Sequence, residues 1–152
     1  MSIVSAIETN HYNCLKRKGW DKTYWWVDVH GTIFIPNYDK DVTTSEYYPL
    51  AKETLQFLSG LDSICLIMWT CSHPDEYKKY IEIFKKDNIN FQYINENPEV
   101  TTEDGLGYGC YDQKPYMNVV FEDKAGFTPN ENWSEILTYM KYKEKKWEGI
   151  EK

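Results

Sequence analysis

Long apolar runs are missing from this chain. No stretch approaches the roughly 20 consecutive apolar residues needed to cross a bilayer, so no membrane span is expected. Polar and acidic residues interrupt the N-terminal segment where a secretion signal needs an apolar core. Cysteine is sparse. Cys14, Cys65, Cys71 and Cys110 show no CxxC spacing, which argues against a zinc site and against a disulfide scaffold. Free thiols in a reducing cytoplasm are the expectation. Positive charge is also short. Seventeen Lys and Arg face 24 Asp and Glu, and the net charge of −7 weighs against binding long nucleic acid. A local basic pocket for a small phosphate ester, or for a nucleic-acid end, is compatible with that balance. Repeats and low-complexity tracts are absent.

What is present points to one globular domain. The 152 residues are 41% hydrophobic and 27% charged, which favours a packed core over disorder. Aromatics are abundant, with 13 Tyr and 6 Trp. They read mainly as large core residues with polar tips. Any exposed ones stay open as a base-stacking surface.

Apolar periodicity suggests an alternation of strands and helices. Ser2 to Lys18 is expected to be a helix ended by Gly19, within an N-terminal extension over 1–23. The core is expected over 24–143. Tyr24–Asp28 is nearly continuous apolar, as in a strand buried on both faces. A long polar and aromatic connection, Ile33 to Tyr48, holds the turn signal Pro36-Asn37-Tyr38 and the run Thr43-Thr44-Ser45-Glu46. Pro49 suits the start of a helix with Leu50, Leu55 and Leu58 on one side, stopping near Gly60. A second strand spans Ser63–Trp69. Ser72 is expected to cap the next helix, whose apolar face is Tyr77, Tyr80, Ile81 and Phe84, and Asp87-Asn88 ends it. Phe91–Ile94 is a short strand. The segment 95–114, acidic and glycine-rich with Tyr108 and Tyr111, reads as a substrate-side loop. Asn118–Phe121 is the fourth strand. Trp133–Trp147 is a terminal helix with Trp133, Ile136, Leu137 and Met140 inward.

Such alternation predicts an α/β fold, a three-layer α/β/α sandwich on a mostly parallel Rossmann-like sheet. Chemistry in these folds collects at the carboxyl ends of the strands. Four features sit there: Asp28-Val29-His30-Gly31-Thr32, Thr70, Lys114 and Glu122-Asp123. Read singly, each has a plainer account. Asp28 is then a solvated or capping aspartate, Thr70 a β-branched strand end, Lys114 a surface charge, and Glu122-Asp123 an exposed acidic turn.

Together, and in this order, they resemble the four motifs of the haloacid dehalogenase-like (HAD) phosphohydrolases. The likeness covers roughly Trp25 to Lys143 and is greatest to small capless members, including bacterial and phage proteins. It implies a HAD-like sheet with no large cap domain. It also implies a Mg²⁺-dependent phosphatase acting through an aspartyl-phosphate on Asp28. Phosphate esters resist anionic nucleophiles, so a carboxylate attacks only where a metal and cationic donors screen the charge. Mg²⁺ prefers hard oxygen ligands. The resemblance assigns them to Asp28, the backbone carbonyl of His30, and the pair Glu122 and Asp123. Glu122 occupies a position where the family usually has aspartate. Thr70 and Lys114 would bind the phosphoryl group.

His30 departs from the family, which usually has an acid/base aspartate there. Three readings follow. His30 is a substituted acid/base, or it leaves a slow hydrolase, or it marks a regulatory module that binds phosphate or metal without turnover. The first is preferred. His73, at a helix start, is a further candidate for substrate contact and has exposure as its plainer account. His11 lies far from the motifs and receives no role. The expected substrate is a nucleotide, a sugar phosphate or a phosphorylated nucleic-acid end. No oligomeric state is assigned.

Overall fold

The structure is a computed structural model that describes residues 2–37, 44–102 and 109–151. Its centre is a sheet of four parallel strands in the order β3-β2-β1-β4. These are β1 (Thr23–Asp28), β2 (Ile64–Trp69), β3 (Tyr93–Ile94) and β4 (Val119–Phe121). The parallel α/β class and the lack of a large cap agree with expectation. β1 is central and buried on both faces, as its near-continuous apolar sequence requires.

Strand alternation sorts the core into two faces. Trp25, Val27, Leu66, Met68 and Phe121 point to one side. There they meet Ile7, Leu55, Leu58, Phe84 and Trp133, which come from four separate helices. Tyr24, Trp26, Cys65 and Ile67 point to the other, under Val100, Tyr111 and Tyr116 of the segment joining β3 to β4. The order of strands explains this division. Steps β1 to β2 to β3 run one way across the sheet, and the return to β4 runs the other way. Right-handed crossovers therefore put the return segment on the opposite face. Among the described residues that outer layer holds no α-helix.

The N-terminal helix is interrupted. Helix α1 (Ile3–Ile7) passes through a π-helical turn, Glu8–Tyr12, into α2 (Asn13–Lys18), which Gly19 ends in the left-handed conformation. The Ser2 hydroxyl caps it by accepting from the Ser5 N–H at 3.1 Å. The π turn brings the adjacent residues His11 and Tyr12 both into the core.

Helix α3 (Ala51–Ser59) begins two residues after Pro49. The reason is a type II turn over residues 48–51. The Ala51 N–H donates to the Tyr48 carbonyl at 3.0 Å, and Leu50 takes φ 63°. Leu50 is consequently exposed, while Leu55 and Leu58 are buried. Helix α4 (Pro74–Lys86) has His73 rather than Ser72 at its N-cap position, with no side-chain cap. Ser72 is instead bound to Thr70. Tyr80 and Phe84 are buried, with Tyr77 and Ile81 packed beside them. Helix α5 (Pro129–Glu151) starts earlier and runs further than its apolar pattern suggested. Leu137 in it is only half-buried, while Trp133, Ile136 and Met140 are fully inside.

No described helix is long and apolar enough to cross a membrane. All four cysteines are free thiols. Tyr38, Thr43 and Tyr108 lie outside the described residues.

Candidate functional site

The first strand runs from the core to a mouth at its carboxyl end, and Asp28 is its last residue. The chain then turns at once. The Ile33 and Phe34 N–H groups donate to the Val29 carbonyl at 2.9 and 3.1 Å, and the Gly31 N–H donates to the Phe34 carbonyl at 3.0 Å. Gly31 makes this possible with φ +76°. It is also where another chain segment comes close: a Cβ there would lie 2.8 Å from Asp123 Oδ2. Glycine is thus required twice, by conformation and by space.

Thr32 ties the turn to the neighbouring strand end. Its buried hydroxyl donates to Asp28 Oδ2 at 3.0 Å and accepts from the Asp123 N–H at 3.1 Å. Its carbonyl accepts from Trp133 Nε1 at 2.8 Å, so α5 fixes the same loop. Sequence reading noted Thr32 only as part of a motif, because its bonds depend on β4 and α5.

These constraints gather three carboxylates. Asp28, Glu122 and Asp123 each have an oxygen within 4.8 Å of the others. Burial, and then the charge of Glu122, push the Asp28 carboxyl up to about 7. Glu122 is raised as well, by burial and by a hydrogen bond with Asp123. Glu122 also accepts from the Lys124 N–H at 3.3 Å, holding the short 3₁₀ turn Asp123–Ala125. These carboxylate oxygens are the hard donors that could hold a divalent cation.

Thr70 follows β2 and faces the same space. Its backbone is clamped by Asn95: the Thr70 N–H donates to Asn95 Oδ1 at 2.8 Å, and Asn95 Nδ2 donates to the Thr70 carbonyl at 2.6 Å. The Thr70 hydroxyl donates to Ser72 Oγ at 3.0 Å and accepts from the Ser72 N–H at 3.1 Å. Asn95 was missed as a positioning residue. Its signal was faint: an asparagine just past a strand, taking the left-handed φ of 57° that asparagine tolerates.

A cleft of about 630 Å³ joins these groups, lined by Asp28, His30, Trp69, Thr70, Cys71, Asn95, Glu122, Asp123 and Lys124. Five of the six residues singled out from sequence therefore meet there. The sixth, Lys114, is exposed at the end of a turn and does not line the cleft. The lysine that does is Lys124. His73 is exposed and also lies off the lining.

His30 is half-buried, and its Nε2 is hydrogen-bonded to the hydroxyl of the fully buried Tyr80. The rings meet edge to face with centroids 5.7 Å apart. Tyr80 looked like an ordinary member of a helix's apolar face, and its polar tip was not foreseen as a partner. With Nε2 engaged, any proton exchange with a substrate falls to Nδ1.

A smaller hollow of about 340 Å³ lies near the start of β1, lined in part by Lys22, Tyr24, Glu99 and Tyr116. Glu99 there pairs with Lys22 and accepts from the Tyr93 hydroxyl at 2.7 Å, a structural anchor for the outer layer. Burial pushes the nearby Cys65 thiol up to about 12, so it stays protonated.

No family model matches the chain, and no curated protein matches it either. It is similar to the solved structure of a conserved protein from Bacteroides thetaiotaomicron. Identity is 23% with a TM-score of 0.56, over 80% of this chain and 92% of that one. That likeness shows a shared fold.

Proposed function

We propose that the chain is a HAD-like, Mg²⁺-dependent phosphomonoester hydrolase with Asp28 as nucleophile. One observation carries the reading: Asp28, Thr70, Glu122 and Asp123 all line one cleft at the carboxyl ends of three neighbouring parallel strands. Asp28, Glu122, Asp123 and the His30 carbonyl would hold the metal. Bound there, Mg²⁺ would screen the carboxylates and the phosphoryl oxygens.

The residues then divide the work. An Asp28 oxygen attacks phosphorus, the bond from phosphorus to the leaving oxygen breaks, and Asp28 becomes an acyl phosphate. His30 gives the leaving oxygen its proton and takes one from the water that hydrolyses the acyl phosphate. Thr32 steers Asp28 through its hydrogen bond. Thr70 offers its hydroxyl to a phosphoryl oxygen, exchanging Ser72 for the substrate. The positive charge assigned to Lys114 falls more naturally to Lys124, which borders the cleft.

Phosphate release from a panel of monoesters, with and without Mg²⁺, tests this. Wild-type activity should depend on Mg²⁺, and Asp28→Asn should reduce it at least 1,000-fold, on the order expected for loss of a nucleophile. Activity that survives the substitution would refute the assignment.

A second reading is a regulatory module that binds phosphate or metal without turnover. The engagement of His30 Nε2 by Tyr80 favours it, because it occupies one of the two proton-carrying atoms. The two readings separate in the same assay: the module binds Mg²⁺ yet releases no phosphate from any ester.

A further inference from the structure

We propose that the cleft takes a nucleoside phosphate, with Trp69 as the platform on which its base stacks. The proposal rests on the phosphatase reading for the phosphate end and on independent geometry for the base. Trp69 is the register partner of Asp28 on the adjacent parallel strand. Paired positions on neighbouring strands lie roughly 5 Å apart and present their side chains to the same face. Trp69 is therefore the lateral neighbour of the nucleophile.

Among the described residues, no helix covers that face. Trp69 ends β2 half-buried and lines the cleft beside Asp28 and Thr70. Its ring is held edge to face against Trp26, with centroids 5.1 Å apart and an angle of 82°. Trp26 in turn is fully buried and donates through Nε1 to the Tyr116 carbonyl at 3.0 Å. The platform is thus fixed before a ligand arrives, which lowers the ordering cost of binding.

Size and charge agree. The cleft's 630 Å³ falls within the roughly 300–1,000 Å³ of small-molecule sites and exceeds what a phosphate alone fills. Its acidic side, Glu122 and Asp123, disfavours a leaving group that carries a further negative charge. A neutral base meets no such penalty. A bare sugar would want polar partners, and Asn95 already spends both ends of its amide on Thr70.

The test uses Asp28→Asn protein with Mg²⁺, so that ligands bind without turnover. Calorimetry gives the affinities of adenosine 5′-monophosphate, ribose 5-phosphate and inorganic phosphate. The nucleotide should bind on the order of ten-fold more tightly than the ribose phosphate, as one stacked base provides. Trp69→Ala should bring that ratio close to one, and Trp69→Phe should retain most of it. Circular dichroism checks that each variant is folded. Equal binding of the two esters, no binding of the nucleotide, or a ratio indifferent to Trp69→Ala would overturn the proposal. Failure of the phosphatase reading looks different: wild-type protein that prefers the nucleotide yet releases no phosphate.

Discussion

Protonation of the buried His11 should cost this protein stability in acid. The side chain is fully buried between Tyr12 and Trp25, whose rings lie 4.6 and 5.3 Å away. Its Nδ1 is hydrogen-bonded to Thr23 Oγ1 at 2.6 Å, and that oxygen also accepts from Trp25 Nε1 at 2.8 Å. Nε2 is buried without a partner. A charged imidazole is strongly disfavoured there, and burial pushes the folded-state pKa down from 6.5 to about 4. The sign follows directly. As pH falls through 6.5 the unfolded chain takes up a proton that the folded chain refuses. Stability from this group is complete above pH 6.5 and is lost progressively down to pH 4. At about 1.4 kcal/mol per pKa unit, the full loss is about 3 kcal/mol. For a chain of this size that lowers the midpoint temperature by roughly 6–12 °C. The assay is urea denaturation at several pH values between 8 and 4, on wild type and on His11→Phe, which keeps a ring in the pocket. Other groups titrate in both proteins, so the difference between the two curves isolates His11. Wild type should lose about 3 kcal/mol more than the variant over this range. Parallel curves would refute the reasoning, as would a folded-state His11 resonance titrating near 6.5.

Two further outcomes follow from the site. Gly31→Ala should destabilise by about 2 kcal/mol or more, since alanine is strained at positive φ and its Cβ would meet Asp123 Oδ2 at 2.8 Å; thermal melts measure the loss, and an unchanged midpoint would contradict the close approach. Mg²⁺ at a hundred times its Kd should stabilise the fold by about 2.7 kcal/mol, with the gain lost in a Glu122→Gln, Asp123→Asn double variant; melts in Mg²⁺ and in EDTA decide it, and identical curves for wild type would contradict a metal site.

The strands and the motif-bearing ends of β1, β2 and β4 were legible because their signals are local. An apolar run followed by Asp28 or Thr70 states both the strand and the residue at its mouth. Gly31 was equally plain, since only a tight turn explains it there. What escaped depends on contacts far apart in sequence. Thr32 bonds to Asp123, 91 residues away. Tyr80 reaches His30 across 50 residues, and Asn95 reaches Thr70 across 25. Trp69 read only as the last residue of a strand, because composition cannot tell a covered sheet face from one that opens on a cleft. Lys114 was placed by motif order alone, and motif order does not fix which lysine a loop delivers. The turn at the left-handed Leu50 delayed one expected helix start, and the π turn at Glu8–Tyr12 interrupted another expected helix while bringing His11 and Tyr12 into the core.

The acidic cluster gives a last, counter-intuitive expectation. Three ionised carboxylates within 4.8 Å repel one another. They are held by the turn at Gly31, the two hydrogen bonds of Thr32 and the anchor of Trp133. Such strain is what a site built for a cation should carry in its absence. Neutralising one member should then stabilise the metal-free protein. Each partly exposed like-charge contact at this range costs on the order of 1 kcal/mol. Asparagine at position 28 keeps an oxygen to accept from Thr32. Asp28→Asn in EDTA at pH 8 should therefore gain about 1–2 kcal/mol and melt several degrees higher than wild type. Saturating Mg²⁺ should shrink or reverse the order, because the metal stabilises the wild-type carboxylates more. A variant less stable than wild type without metal would mean that the Asp28 charge is compensated inside the fold, and the case for a cation between these three side chains would fall with it.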